Sequence, residues 1–239
     1  MAPAPTSLVM VFTALVIATA VLVFSLVRRA YLGRDGELRP QTAVFRMFFT
    51  LGLWMAITAA LASSGVLADF AERPPPMMVL MGFVFVASVA LAFSPFGTQL
   101  ARGLPLAWLI GFQGFRLPLE LVMHWAAEEG VMPVQMSYEG RNPDILTGVT
   151  AIFVAWMLMK GWGTRRTPWL WNILGTGLLI NILVVAILSL PTFARWGPDQ
   201  VNVWITHAPF VWLPTVLVPF ALIGHLLLWR RLLGNYDEG

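Results

Sequence analysis

The sequence predicts an all-α fold: a polytopic bundle of seven transmembrane helices, N-terminus outside and C-terminus inside, forming one transmembrane domain over residues 1–239. Three observations predict it. The chain is 58% hydrophobic and 11% charged, where soluble domains carry about 25% charged residues, and its mean hydropathy is +0.76. Seven stretches approach or reach the roughly 20 apolar residues that cross a bilayer. The basic residues alternate in density between the ends of those stretches, as the positive-inside rule requires.

The spans are read in order as 7–27, 43–67, 77–93, 104–126, 144–159, 169–190 and 208–229. The first has no charge before it and Arg28 and Arg29 after it. A cleaved leader has the reverse polarity and a small-residue cleavage site, so this stretch reads as a retained helix. The second carries Arg46 near its start, and the third is short but uncharged. The fourth contains Arg116, Glu120 and His124, with Pro118 among them. A proline there cannot donate to the Gly114 carbonyl, which predicts a kink. The fifth is entered through Asn142-Pro143-Asp144, which reads as a helix start with Asn142 as N-cap. The sixth holds Asn181 near its centre, suited to donating between helices. The seventh holds Pro209, Pro214, Pro219 and His225. Its prolines at 214 and 219 leave the Phe210 and Thr215 carbonyls without their usual donors.

With this count, Arg28, Arg29, Arg34, Arg39, Arg46, Arg102, Lys160, Arg165, Arg166, Arg230 and Arg231 fall inside. Only Arg73, Arg141 and Arg195 fall outside, and Arg116 lies in the membrane. One span more or fewer would scramble that division, so it supports the count as well as the orientation. Tryptophans such as Trp108, Trp125, Trp169 and Trp229 lie near span ends, as interfacial belts do. The stretch 128–143 mixes apolar residues with turn formers, which fits a segment on the membrane surface or folded back into the bundle.

Several function classes are excluded by residue content. There is no cysteine, which removes disulfides, thiolate metal sites and iron–sulfur clusters. Lys160 is the only lysine, so the last helix cannot hold a retinal Schiff base. No phosphate-binding glycine loop or Gly-x-Ser-x-Gly nucleophile context occurs. The basic clusters are explained by topology, so nucleic acid is not a partner.

Arg116, Glu120 and His124 are spaced four apart and share one helix face. Ionisable groups in hydrocarbon cost several kcal/mol unless they face protein or water, so the row points into the bundle. Two readings follow. In one, Arg116 and Glu120 form a buried ion pair and His124 caps it. In the other, the row lines an outward-facing polar pocket: Glu120 and His124 are the catalytic proton-handling groups, and Arg116, Glu139, Asn142 and Asp144 are ligand-binding. His207 opens the seventh span at the depth of His124. With Glu120 the two histidines make a candidate site for a divalent metal, zinc or iron, although no His-Glu-x-x-His or Glu-x-x-His motif supports it. Haem is not expected, because a lone histidine is more often a hydrogen-bonded interfacial residue. His225 falls near the inner end of its span, which separates it from an outer site and leaves it a structural role.

Gln113-Gly114-Phe115-Arg116, Glu120, His124, Pro133-Val134-Gln135-Met136 and Glu139-Gly140-Arg141-Asn142, followed by Asp144-Ile145, resemble an uncharacterised family of bacterial integral membrane proteins. Pro209 through Pro214, then Val218-Pro219 and His225, resemble that family's last helix. The resemblance implies a bacterial inner-membrane location and supplies no activity. The expectation is therefore an inner-membrane protein with an outward-facing polar pocket that binds a small ligand or metal ion and acts on it. Transporter and accessory-subunit readings are the alternatives.

Overall fold

The computed structural model describes residues 3–32 and 40–234, and the expected inner charges Arg34 and Arg39 lie outside them. Within the described residues the chain is all-α, with short 3-10 and π segments and no strands. The helices are α1 (Thr6–Tyr31), α2 (Pro40–Ser63), α3 (Pro76–Phe93), α4 (Pro95–Gly103), α5 (Leu106–Gly111), α6 (Arg116–Glu128), α7 (Ile145–Met159), α8 (Thr167–Leu188) and α9 (Val218–Leu233). Six segments are long and apolar enough to cross a membrane: α1, α2, α3, α8, the continuous stretch Leu106–Glu128 and the stretch Leu213–Leu233. The seventh expected span, α7, is apolar but has only 15 residues. At 1.5 Å per residue it covers about 22 Å, less than the roughly 30 Å hydrocarbon core.

The breaks in the helices follow the prolines. Ahead of Pro118 the chain tightens into a 3-10 turn over Phe112–Phe115, which joins α5 to α6. Between Pro214 and Pro219 the last helix widens into a π segment, Leu213–Leu217, closed by the Val218 N–H on the Leu213 carbonyl. The Thr215 carbonyl, deprived of a donor by Pro219, accepts from the Trp54 indole N–H of α2 at 2.9 Å. The Phe210 carbonyl accepts from the Leu213 N–H at 2.9 Å. A freed acceptor in an apolar bundle thus has a donor supplied to it. The last helix begins later than residue 208, because 207 is a bend and 208–211 form a turn.

One end of the bundle gathers arginines. Gln99 of α4 donates to the Ala30 carbonyl at the end of α1 at 3.0 Å. Arg230 of α9 donates to the Ala92 carbonyl and to Thr98, and Arg231 reaches the Ala101 and Arg102 carbonyls. The Arg29 guanidinium stacks 4.2 Å over the Trp108 ring. The short helix α4, whose nine residues are too polar to register as a span, is what ties these ends together.

α5–α6 and α7 run antiparallel in close contact. An added Cβ at Gly111 would lie 3.0 Å from Ala155, at Gly114 2.9 Å from Ile152, and at Gly148 2.3 Å from the Leu117 backbone nitrogen. The Gly148 approach is backbone to backbone, and no side chain could occupy it. Continuing that register places the start of α7 beside Glu120 and the end of α7 at the arginine-rich end.

Segment 129–144 folds back into the bundle instead of lying on its surface. Val131, Met132, Gln135, Met136, Ser137, Asn142 and Asp144 are all buried. Gln135 donates to Ser189 at 3.1 Å and to the Gln200 carbonyl at 2.7 Å. Asn181, seven residues from the end of α8, donates to the Arg141 carbonyl at 2.7 Å, so the segment descends about 10 Å along α8. Irregular backbone at membrane depth is tolerable only when protein covers it in this way.

Candidate functional site

The polar centre is built from five elements. Arg116, first residue of α6, is 2% exposed. Its Nε donates to Asp144 Oδ2 at 2.6 Å, and its Nη2 is ion-paired with the same oxygen. Its Nη1 faces His225 Nε2 at 3.0 Å. A guanidinium can only donate, so Nε2 accepts and the ring proton sits on Nδ1. Nδ1 then donates to Asn172 Oδ1 at 2.7 Å, while the Asn172 amide returns a bond to the His225 carbonyl at 3.3 Å. The ring stacks on Trp171 at 5.5 Å and 23°. An added Cβ at Gly175 would sit 2.5 Å from His225 Cε1, so this glycine is what admits the ring.

Asp144 stands at the N-terminus of α7, where the helix dipole favours a carboxylate. Thr147 Oγ1 donates to its second oxygen at 2.9 Å. Glu120, one turn along α6 from Arg116, receives the Asn142 amide on both oxygens at 2.9 Å. The same amide donates to the Met136 carbonyl at 3.0 Å. Re-entry of segment 129–144 therefore delivers both Asn142 and Asp144 to the face of α6.

These contacts revise four expectations. Arg116 pairs with Asp144, not with Glu120. Asn142 is not the cap of α7; the helix begins after Asp144, and Asn142 serves Glu120 instead. His225 belongs to the centre: it lies eight residues before the end of α9 and Arg116 ten residues after the start of α5, so rises of about 12 and 15 Å bring them to one depth. The row on α6 is also not exposed along its length, since Arg116 and Glu120 are each 2% exposed.

His124 stands apart from this centre. Its ring packs on Tyr138 at 4.5 Å, and its Nε2 is 3.6 Å from Glu128 and 3.8 Å from Glu139, both exposed carboxylates. His207 is exposed, its Nδ1 within 3.1 Å of Thr206 Oγ1 and 3.2 Å of the Val203 carbonyl. Among the described residues no three His, Asp or Glu side chains come together as metal ligands do. Glu120, His124 and His207 therefore do not come together as such a group.

Against the polar centre lies a cavity of about 90 Å³. Arg116, Glu120 and Asp144 form part of its wall, and the remainder is mostly apolar: Val84 and Phe85 of α3, Leu183 and Ala186 of α8, Leu217 and Leu222 of the last helix. α3 and α8 each pack on the last helix but scarcely on one another, so the cavity lies in the cleft between them. Beside that cleft Phe83 and Val184 are exposed on the outer surface of the bundle. Asn202, in the loop before the last helix, is fully buried at the cavity wall. Its amide donates to the Ala186 carbonyl at 3.3 Å, and its Oδ1 has no partner. Sequence reasoning missed Asn202, Asn172 and Thr147; their positions depend on re-entrant loops that hydropathy does not register.

No curated protein and no solved structure matches the chain. Residues 74–233 match the model of a family described as a domain of unknown function, DUF8737. The match covers about two thirds of the 239 residues and includes α3 to α9 with every residue of the polar centre and the cavity. The chain belongs to the DUF8737 family.

Proposed function

We propose that this protein is a seven-span protein of the bacterial inner membrane that binds a small ligand in an intramembrane cavity entered from the bilayer. The arginine-rich end is cytoplasmic on this reading, which puts the N-terminus outside and the C-terminus inside. Counting α7 as a span is supported by its apolar composition and by the re-entrant segment that continues it. The observation that carries the ligand reading is the cavity itself: it abuts charged side chains, yet its walls are otherwise apolar. Buried ionisable groups in a membrane protein mark functional sites by default, and pockets with mostly apolar walls and a few convergent polar groups are the usual form of small-molecule sites. The closed Arg116–Asp144 pair alone would suit an accessory subunit whose charges serve only packing. A cavity beside that pair is what favours ligand binding over it.

Ala186→Trp fills the cavity from α8. Protein extracted in mild detergent and analysed by native mass spectrometry is expected to carry an apolar molecule that the tryptophan variant has lost. Wild type and variant with the same bound complement would refute the reading.

A further inference from the structure

Resting on the cavity reading above, we infer that the ligand is a neutral-headed lipid bearing a free hydroxyl, its head hydrogen-bonded in the cavity and its tail in the bilayer between α3 and α8. Two side chains of the cavity wall, Asn202 and Glu120, offer acceptors. Asn202 is fully buried at the cavity wall, and its Oδ1 has no donor. Both Glu120 oxygens are served by a single amide group, Asn142 Nδ2. A carboxylate has about four lone-pair sites, so Glu120, which lines the cavity, has acceptor capacity left. Arg116 donates from Nε to Asp144 and from Nη1 to His225, while its Nη2 is ion-paired with Asp144 but makes no hydrogen bond, so a hydroxyl, which both donates and accepts, suits this wall. An incoming group that donates completes the wall, whereas one that only accepts leaves Asn202 Oδ1 unsatisfied.

Charge and depth narrow the head further. An anionic head would face two carboxylates, Glu120 and Asp144, across a guanidinium already paired. A zwitterionic or cationic head would have to leave the interface for the interior, at a cost of several kcal/mol. A hydroxyl costs far less to bring there and regains it on meeting an acceptor. The opening fixes the remainder: a cavity of about 90 Å³ takes a head and the first methylenes of a chain, and the cleft beside it opens toward lipid.

The test offers the purified full-length protein equimolar hexadecan-1-ol and its methyl ether, with hexadecanoate as a third competitor, and reads bound ratios by native mass spectrometry. The alcohol is expected to exceed the ether about tenfold, the value of one buried hydrogen bond, and to exceed the acid. In Asn202→Leu the alcohol-to-ether ratio falls toward one. The wild-type ratio carries the test if that variant does not fold. Equal binding of alcohol and ether, or preference for the acid, overturns the hydroxyl assignment and leaves the cavity reading standing. Binding of none of the three, or equal binding to wild type and Ala186→Trp, overturns the cavity reading as well.

Discussion

Replacing Arg116 with methionine is expected to destabilise the protein by about 3–5 kcal/mol, the cost of removing one member of a buried ion pair. The substitution leaves Asp144 with Thr147 as its only side-chain donor and deprives His225 Nε2 of its donor. The loss arises mainly from an uncompensated buried carboxylate, which gives a second, sharper expectation. Arg116→Met combined with Asp144→Leu should be more stable than Arg116→Met alone, because a paired removal avoids the orphaned charge. Reversible unfolding in detergent, run as a double-mutant cycle, measures both. An Arg116→Met protein within about 0.5 kcal/mol of wild type, in the range of an ordinary surface substitution, would mean that the pair contributes little to the bundle.

The second large effect is expected at Asn142. Its side-chain nitrogen is the hydrogen-bond donor to both Glu120 oxygens and also holds the Met136 carbonyl. Asn142→Leu removes all three bonds at once and leaves a carboxylate buried at 2% exposure. An unsatisfied buried group costs about 1–3 kcal/mol, and more when charged, so a loss of at least about 3 kcal/mol is expected. Glu120→Leu on the same background should restore much of it, since removing both partners can approach neutrality. If the double variant is no more stable than Asn142→Leu, the damage comes from the Met136 carbonyl and the re-entrant turn, and Glu120 is not what Asn142 supports.

The sequence was readable where the physics is local. Hydropathy located six helices long and apolar enough to cross a membrane and the shorter α7, because desolvation acts residue by residue. Proline chemistry anticipated the breaks before Pro118 and around Pro214 and Pro219, even to the freed Thr215 carbonyl that Trp54 now fills. The four-residue spacing correctly marked Arg116 and Glu120 as inward-facing, since both are buried.

What was not readable was non-local. One of the two readings paired Arg116 with Glu120 along its own helix, but its partner is Asp144, delivered by a segment that folds back into the bundle. Buried polar residues in that segment are satisfied by one another, by Ser189 and by the Gln200 carbonyl, and no one-dimensional pattern encodes that closure. His225 was misplaced for a simpler reason: ending the last span at residue 229 instead of Leu233 put it about 6 Å too near the membrane surface. Charges in a helix reveal that something covers them and do not reveal whether the cover is water, protein or the wall of an apolar cavity.

The account stands or falls on where the cavity opens. Because the chain has no cysteine, a single Leu183→Cys substitution places one nitroxide label at the cavity wall on α8, and Glu139→Cys places another on the exposed loop as a reference. Power-saturation electron paramagnetic resonance in liposomes compares collisions with oxygen, which partitions into lipid, and with a water-soluble nickel chelate. The label at 183 is expected to collide freely with oxygen and scarcely with the chelate, the reverse of the label at 139. Chelate access at 183 comparable to that at 139 would contradict a bilayer-facing cavity and place the site in contact with water.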